Sequence, residues 1–122
     1  PDRFREIIRE DFTAMLAEEI QDLTEEPRRT AVIVHEHRDI KSSELYYMVR
    51  GKATTGRIPV NFYNTLKKLE DAHLITRQGT GIVNWSLDGF VDGKLLDLYD
   101  EETRSQIKSY LASLLLPKGG NR

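Results

Sequence analysis

The segment from Pro59 to Ile75 constrains the fold most, because it has the pattern of an amphipathic helix that runs almost directly into a strand. Proline is tolerated in the first turn of a helix, where the N–H that it lacks would have no intrahelical partner. One stripe of the helical wheel is predicted to face the core: Phe62, Leu66, Leu69 and His73. The opposite face is small, amide-bearing and basic: Val60, Asn61, Asn64, Lys67 and Lys68.

The chemistry of that opposite face suits the major groove of DNA. Asparagine can bond bidentately to adenine, and lysine can contact guanine acceptors or phosphates. One acidic residue, Asp71, shares the face, but it falls in the last turns, whereas helices in the groove contact bases mainly through their first turns. An ordinary solvated helix face has a similar composition, so this pattern alone leaves both interpretations open.

The next stretch, residues 74–87, predicts a β hairpin. Gly79 and Gly81 supply a permissive turn, and β-prone side chains follow at Ile82, Val83 and Trp85. The order helix, helix, basic helix, hairpin is typical of a winged helix-turn-helix, in which the hairpin is the wing. We therefore predict a mainly α fold with a small β hairpin: a winged helix-turn-helix with extra N-terminal and C-terminal amphipathic helices.

Within this segment the sequence resembles a known family. The frame Tyr-x-x-Leu-x-x-Leu-Glu-x-x-x-Leu-Ile comprises Tyr63, Leu66, Leu69, Glu70, Leu74 and Ile75. It is similar to the recognition helix and first wing strand of PadR-like winged-helix transcription regulators, over about residues 28–87. His73 departs from the family pattern, which has glycine closing the helix, so His73 would have to adopt a left-handed backbone. The resemblance implies DNA binding, repression and dimerisation through C-terminal helices.

The distribution of charge supports nucleic-acid binding although the whole chain carries a net charge of −2. Residues 1–27 carry −6, residues 28–77 carry +5 and residues 78–122 carry −1. A basic segment within an acidic chain is the electrostatic footprint of a DNA-binding face, although chance clustering would look the same.

Two sets of DNA contacts follow from these patterns. The recognition-helix set is Val60, Asn61, Asn64, Thr65, Lys67 and Lys68. The phosphate or wing set is Lys41, Ser43, Lys52, Arg57, Arg77 and Gln78. Lys52 and Arg57 belong to a Gly- and Thr-rich turn region, residues 51–58, which precedes the recognition helix and would bring both near phosphates.

The elements before this turn are predicted from caps and spacing. Thr24 and Pro27 indicate the start of a helix that continues to about Arg38. Its predicted buried residues are Ala31, Val32, Val34 and His35. Ile40 is expected to form a one-residue bridge to the wing. Ser42 or Ser43 is expected to cap a helix over residues 44–50, which buries Leu45, Met48 and Val49.

Amphipathic helices are predicted at both ends of the chain. The first, Asp2 to Leu23, has this apolar periodicity: Phe4, Ile7, Ile8, Phe12, Met15, Leu16, Ile20 and Leu23. The last segment, from Asp88 to Leu116, is expected to be interrupted by Gly89 and Gly93 and to end at Pro117–Gly120. Its stripe is Ile107, Tyr110, Leu111, Leu114 and Leu115.

These helices predict a domain organisation and an assembly. The expected division is 1–24 for the N-terminal helix, 25–88 for the winged helix-turn-helix, and 89–122 for the C-terminal dimerisation helix and tail. The N-terminal helix would pack either on its own domain or on a partner subunit. A two-fold homodimer would place its recognition helices roughly 34 Å apart, so the operator should be a pseudo-palindrome.

Several classes of protein do not fit the sequence. Without cysteine there are no disulfides, zinc fingers or thiol switches. His35 and His37 would point in different directions on a helix and have no completing ligands, so no metal is expected. The chain contains no phosphate loop, nucleophile elbow or zinc-protease motif, so we expect neither an enzyme nor a cofactor. It has no long apolar run and no signal-peptide pattern, which favours a cytoplasmic protein without membrane contact.

The sequence therefore predicts a sequence-specific DNA-binding transcription regulator, a homodimer that binds double-stranded DNA at a pseudo-palindromic operator. Repression rests on the family resemblance alone, and no small-molecule effector is assigned. The alternative is a winged-helix protein–protein assembly module without specific DNA binding, because the same fold serves both purposes. Such a module would more often carry apolar or acidic residues in place of Asn61, Asn64, Lys67 and Lys68.

Overall fold

The computed structural model describes residues 2–54 and 56–116, with side chains from Phe12 onward. This part of the chain is mainly helical with a small three-stranded antiparallel sheet. Its elements are α1 (Asp2–Gln21), α2 (Glu25–His37), β1 (Asp39–Lys41), α3 (Ser42–Arg50), α4 (Val60–Asp71), β2 (Ile75–Arg77), β3 (Ile82–Trp85), α5 (Leu87–Leu95) and α6 (Glu101–Ser113). They form two compact units, which we call the central unit (residues 24–87) and the flanking unit (residues 1–23 and 88–122).

The central unit has its core between three helices and the sheet. Helix α2 packs on both α3 and α4, and its inner side also contacts β3. The most deeply buried side chains are Ala31, Val34, Leu45, Phe62, Leu66, Leu69, Leu74, Ile75 and Val83. Full burial of a side chain such as Leu or Phe contributes about 1.5–3 kcal/mol, so this cluster fixes which face of α4 turns inward.

The sheet has the order β1-β3-β2, with both pairs antiparallel. Ile40 pairs with Val83, as the sequence predicted for a short strand joining the wing. The predicted hairpin is confirmed, with Thr76 opposite Asn84. Its turn is closed by the Gln78 N–H, which donates to the Ile82 carbonyl over 2.9 Å.

The starts of two helices test the predicted caps. Helix α2 begins at Glu25 with Thr24 in the N-cap position and Pro27 in the first turn, as predicted, although the Thr24 side chain makes no capping hydrogen bond. The prediction that a serine caps α3 is wrong, because Lys41 holds the N-cap position and Ser42 is already helical. Strand β1 leads directly into α3. The Ser42 N–H, which has no acceptor within the helix, donates to the Gly81 carbonyl over 2.8 Å instead of to a capping side chain.

The buried side of α3 also differs from the prediction. Tyr46 is buried at 3% exposure, whereas Met48, which we expected in the core, is 47% exposed. The reason is an edge-to-face contact between Tyr46 and Phe62 of α4, with ring centroids 5.2 Å apart. That contact places the aromatic ring, and not the methionine, between the two helices. In α2, Val32 and His35 are half-buried, unlike the fully buried Ala31.

Helix α4 closes with a left-handed histidine. Pro59 occupies the N-cap position, and the helix ends at Asp71. His73 has φ +65°, as its place in the sequence frame required. The His73 N–H donates to the Glu70 carbonyl, and the Leu74 N–H donates to the Leu69 carbonyl, each over 3.0 Å. This pair of hydrogen bonds is the Schellman motif, which turns the chain from α4 into β2.

The flanking unit is built on the packing of α1 against α6. Its buried residues include Leu16, Ile20, Ile107, Leu111 and Leu115. Helix α5 runs without a break through Gly89 and Gly93, so the expected interruption is wrong. Tyr110, expected in the apolar stripe, is 49% exposed. The predictions for Phe4, Ile7 and Ile8 and for Pro117–Gly120 fall outside the described side chains and residues.

An ionic cluster joins the last two helices. Asp92 on α5 accepts hydrogen bonds from Arg104 over 2.9 Å and from Lys108 over 2.8 Å, both on α6. The Lys108 hydrogen bond is the main reason that the pKa of Asp92 is lowered. Among the helices in the described ranges, none combines the length and the apolar character that crossing a membrane requires.

Candidate nucleic-acid interface

The outward side of α4, which we call the α4 face, carries the predicted amide and basic residues. Its members are all exposed: Val60, Asn61, Asn64, Lys67 and Lys68. Val60, in the first turn, is 77% exposed and so adds an aliphatic group to this surface. Burial of the opposite stripe holds these side chains outward together.

Thr65, predicted with this set, does not lie on the α4 face. It is only 6% exposed, and its hydroxyl donates to Glu26 Oε1 over 3.1 Å. This hydrogen bond satisfies a polar side chain on the core side of the helix. The structure therefore places Thr65 between α4 and α2, where it supports the helix and does not reach its outer surface.

The basic end of the α4 face is lightly constrained. Lys67 forms an ion pair with Asp71 at 3.3 Å, and both side chains are about two-thirds exposed, at 66% and 65%. Exposed pairs of this kind contribute about 0–1 kcal/mol, so Lys67 can exchange Asp71 for a phosphate at little cost. Within the described residues, Asn64 makes no side-chain hydrogen bond, and its amide group is available to a ligand.

An ion pair between α3 and α2 lies next to the start of the α4 face. Arg50 donates two hydrogen bonds to Glu26, over 2.7 and 2.8 Å, and its guanidinium also lies 5.5 Å from the centre of the Phe62 ring. The hydrogen bond from Arg50 holds the pKa of Glu26 below its ordinary value, although partial burial acts in the opposite direction. A further hydrogen bond runs from Arg50 Nη1 to Asn61 Oδ1 over 3.2 Å.

Sequence reasoning missed this network. Glu26 looked like an ordinary acid in the first turn of a helix, where the helix dipole alone accounts for it. Arg50 lies in the last turn of α3, where the helix dipole likewise favours a basic residue. The contact between them joins α2 to α3, and the network extends to α4 through Asn61 and Thr65, so no local pattern indicates it. Nothing in the sequence showed that Arg50 would also contact Asn61.

Arg77 lies between the hairpin and α4. It donates to Glu70 over 2.7 Å, and its guanidinium lies 4.6 Å from the centre of the exposed Tyr63 ring. The hydrogen bond to Glu70 is the main reason that the pKa of Arg77 is raised. Arg77 was predicted to contact a phosphate, but here its charge is balanced by Glu70, and it ties β2 to α4. Gln78, the next residue, is exposed at the hairpin turn.

The other predicted phosphate contacts are exposed on the central unit. They are Lys41 at the end of β1, Ser43 in the first turn of α3, and Lys52 and Arg57 between α3 and α4. The Thr54 hydroxyl donates to the Arg57 carbonyl over 2.7 Å, which orders this connection. Gly51 ends α3 with a left-handed φ of +73°, and its N–H donates to the Tyr47 carbonyl over 2.7 Å.

The two histidines of α2 have structural contacts. The His35 ring meets Trp85 of β3 edge-on, with centroids 4.7 Å apart. His37 Nδ1 lies 2.9 Å from the Ile33 carbonyl oxygen. Over residues 2–54 and 56–116, the side chains that are described contain no group of three His, Cys, Asp or Glu able to hold a metal ion. These contacts account for His35 and His37 without a ligand.

Comparisons of the chain with protein-family models, curated proteins and solved structures find no match in any of the three. The resemblance to PadR-like regulators accordingly stays an interpretation of one sequence frame. A functional proposal for this chain has to stand on the chemistry and placement of its own residues.

Proposed function

We propose that this chain is a sequence-specific DNA-binding transcription regulator with a winged helix-turn-helix architecture. In this proposal α4 is the recognition helix, α3 is the preceding helix of the motif, and the β2–β3 hairpin is the wing. The observation that carries the proposal is the α4 face, an exposed surface of amide and basic side chains on a helix whose other side is fixed in the core. The order of helices and the pairing of β1 with the hairpin support the same architecture.

The chemistry of the α4 face fits duplex DNA in detail. Val60 supplies an exposed aliphatic group of the kind that contacts a thymine methyl. Asn64, whose amide makes no hydrogen bond to the part of the chain that the structure describes, suits the paired acceptor and donor of adenine. Lys67 and Lys68 follow toward the end of the helix, where phosphate contacts would set its position along the groove. Residues in the first half of α4 thus contact bases, and residues nearer its end contact the backbone.

The flanking unit supports the proposal of a homodimer. A groove of about 490 Å³ lies between α1 and α6, and its lining includes Ala14, Ala17 and Tyr110. Small side chains let another helix approach closely, and the exposed Tyr110 offers apolar area to it. A second copy of the chain would occupy this groove. Two recognition helices related by two-fold symmetry would contact a pseudo-palindromic operator, and binding there would repress by blocking the promoter.

One observation favours the alternative, a protein–protein assembly module. Val60 and Tyr63 on α4 are 77% and 51% exposed, and Tyr47 and Met48 on α3 are 57% and 47% exposed. Exposed apolar side chains of this size commonly mark protein interfaces. The amide and basic residues beside Val60 favour DNA instead, because the core of a protein interface is depleted of lysine.

The test is selection of the purified protein on random-sequence duplex DNA, followed by sequencing, at two salt concentrations. We expect a pseudo-palindromic motif with half-sites about 10 base pairs apart. Asn64→Ala should lower discrimination at one position per half-site by about 1–3 kcal/mol. Recovery of no motif, with weak binding that disappears at the higher salt, would refute the proposal and favour the assembly module.

The phosphate contacts have their own measurement. Lys52→Ala should reduce the magnitude of the slope of log affinity against log salt by about 0.9, because one phosphate contact is lost. Lys94→Ala is the matched control, since it removes the same charge from an exposed position on the flanking unit. Equal slopes for the two variants would contradict the placement of Lys52 at the DNA backbone.

A further inference from the structure

Arg50 determines how the side-chain amide of Asn61 is turned. A guanidinium has N–H donors and no acceptor, so the amide bonds to it only when Oδ1 faces Arg50. That is the arrangement in the structure, with Arg50 Nη1 3.2 Å from Asn61 Oδ1. The Nδ2 donors of Asn61 are then left for another partner. Asn61 lies in the first turn of α4 and is exposed, so the partner comes from outside the chain.

Arg50 cannot easily leave this position. Glu26 accepts from both Nε and Nη2, a bidentate geometry that fixes the plane of the guanidinium. The rings of Tyr46 and Phe62 lie beside it, with centroids 5.7 and 5.5 Å away, and the Arg50 side chain is only 22% exposed. Arg50 and Asn61 therefore form a fixed pair at the start of α4, in which the charge of Arg50 is balanced by Glu26 and the Nδ2 donors of Asn61 face outward.

We propose, resting on the proposed function, that the Arg50–Asn61 pair recognises guanine and that Arg50 is the positioning residue for this contact. Guanine presents two acceptors, N7 and O6, to the major groove, whereas adenine presents the N7 acceptor beside an N6 amino donor. With its Oδ1 occupied by Arg50, Asn61 presents only N–H donors, which match the two acceptors of guanine but meet the N6 amino donor of adenine. The amide of Asn64 is not held by Arg50, so Asn64 can still turn its oxygen and nitrogen toward adenine.

The proposal changes the expected half-site. Sequence chemistry alone treats Asn61 and Asn64 alike and assigns adenine to both. The structure separates them, because only Asn61 has its carbonyl oxygen bonded to a cation. Asn61 and Asn64 lie within one turn of helix, about 4.5 Å along its axis, which is close to the spacing of neighbouring base pairs. Each half-site should hold a guanine within about two base pairs of an adenine.

The experiment compares base preferences in the same selection. Asn61→Ala, a change at an exposed position, identifies the base pair that Asn61 contacts. At that pair the unaltered protein should prefer guanine over adenine by about 5- to 150-fold, the range for one good pair of base contacts. The double variant Glu26→Gln/Arg50→Gln removes both charges but keeps side chains that can bond to each other. It should shift that preference toward adenine and leave the base pair contacted by Asn64 unchanged.

Lys52→Ala is the control, because loss of a phosphate contact should weaken binding to all sequences without altering the preferred base. Adenine at the Asn61-sensitive pair would overturn the inference, and so would an unaltered motif in Asn61→Ala. A guanine preference that survives in the folded double variant would remove Arg50 from the recognition. Failure of the unaltered protein to select any motif would instead overturn the proposed function, and this inference with it.

Discussion

The ion pair between Glu26 and Arg50 gives the sharpest prediction for stability. In Glu26→Gln, Arg50 keeps its charge but loses its carboxylate partner, and the Thr65 hydroxyl loses a charged acceptor. Hydrogen bonds to charged groups contribute about 1.5–3 kcal/mol, whereas exposed ion pairs contribute about 0–1 kcal/mol. The side chains of Glu26 and Arg50 are 35% and 22% exposed, so their ion pair is intermediate between a buried and an exposed one. We expect a loss of about 2 kcal/mol in the free energy of unfolding at neutral pH.

The assay follows from the position of Trp85, the single tryptophan of the chain, in strand β3 of the central unit. Its fluorescence reports the unfolding of residues 24–87 in particular. For a unit of this size, about 2 kcal/mol corresponds to a drop in Tm of about 8–16 °C. Glu25→Gln is the matched control, because Glu25 is the neighbouring acid in the first turn of α2 and is exposed. It should change the stability by only a few tenths of a kcal/mol.

The pH dependence tests the cause of the effect. The hydrogen bond from Arg50 lowers the pKa of Glu26 below its ordinary value, so the carboxylate stabilises the fold fully at any pH above that ordinary value. Its contribution is lost as the pH falls through the lowered pKa of the folded state. The unaltered protein and Glu26→Gln should therefore differ most near neutral pH and converge in acid. A difference that stays constant down to about pH 3, or no difference at pH 7, would refute the argument.

Three further predictions concern other contacts. Arg77→Ala should lower the stability of the central unit by about 1 kcal/mol in the same fluorescence assay, because Glu70 loses its partner; an unchanged midpoint would show that the pair contributes nothing. Asp92→Asn should destabilise the flanking unit by at most about 1 kcal/mol near neutral pH, because the Asp92 side chain is 39% exposed and its ion pairs are screened by solvent. The effect should disappear in acid because Lys108 lowers the pKa of Asp92; circular dichroism measures it. His73→Gly should be more stable than His73→Ala by about 0.5–1 kcal/mol, since both lose the side chain but only glycine relieves the strain at φ +65°; equal midpoints for the two variants would contradict this.

The elements that the sequence predicted well have strong local patterns. The apolar stripe of α4, the glycine-containing turn after β2 and the β-prone residues of β3 each specify an element with little help from distant contacts. The left-handed His73 also followed from its position in the frame. The short strand at Ile40 was predictable from the order of elements, because a short strand that follows the first helix of a winged helix commonly pairs with the hairpin.

The errors have physical causes in tertiary contacts. Lys41, and not a serine, is the N-cap of α3 because β1 ends at Lys41 and runs into the helix without a loop. The Ser42 N–H donates to the Gly81 carbonyl, so it needs no capping side chain. Tyr46 replaced Met48 in the core because the Phe62 ring lies opposite it. Gly89 lies inside α5, since neighbouring apolar residues outweigh the cost of about 1 kcal/mol for glycine in a helix.

The candidate site was only partly predictable for the same reason. Helical periodicity placed Asn61, Asn64, Lys67 and Lys68 on one exposed face, but the same periodicity could not show that Thr65 turns toward Glu26. Whether a polar side chain near the edge of a helix face is available depends on partners from other elements. Asn61 and Asn64 differ for this reason, because only Asn61 is bonded to Arg50, which lies at the end of another helix, α3.

The division of the chain into units has a consequence for its synthesis. The central unit is inserted between the two parts of the flanking unit, so all of its residues have been translated once Leu87 is added. Helix α1, which packs on α6, still lacks this partner at that moment. At about 5–20 residues per second, translation of residues 88–113 takes about 1–5 s. During this interval Leu16 and Ile20, which are fully buried in the finished protein, have no α6 to cover them, so this apolar surface of α1 stays exposed to water until α6 has been made.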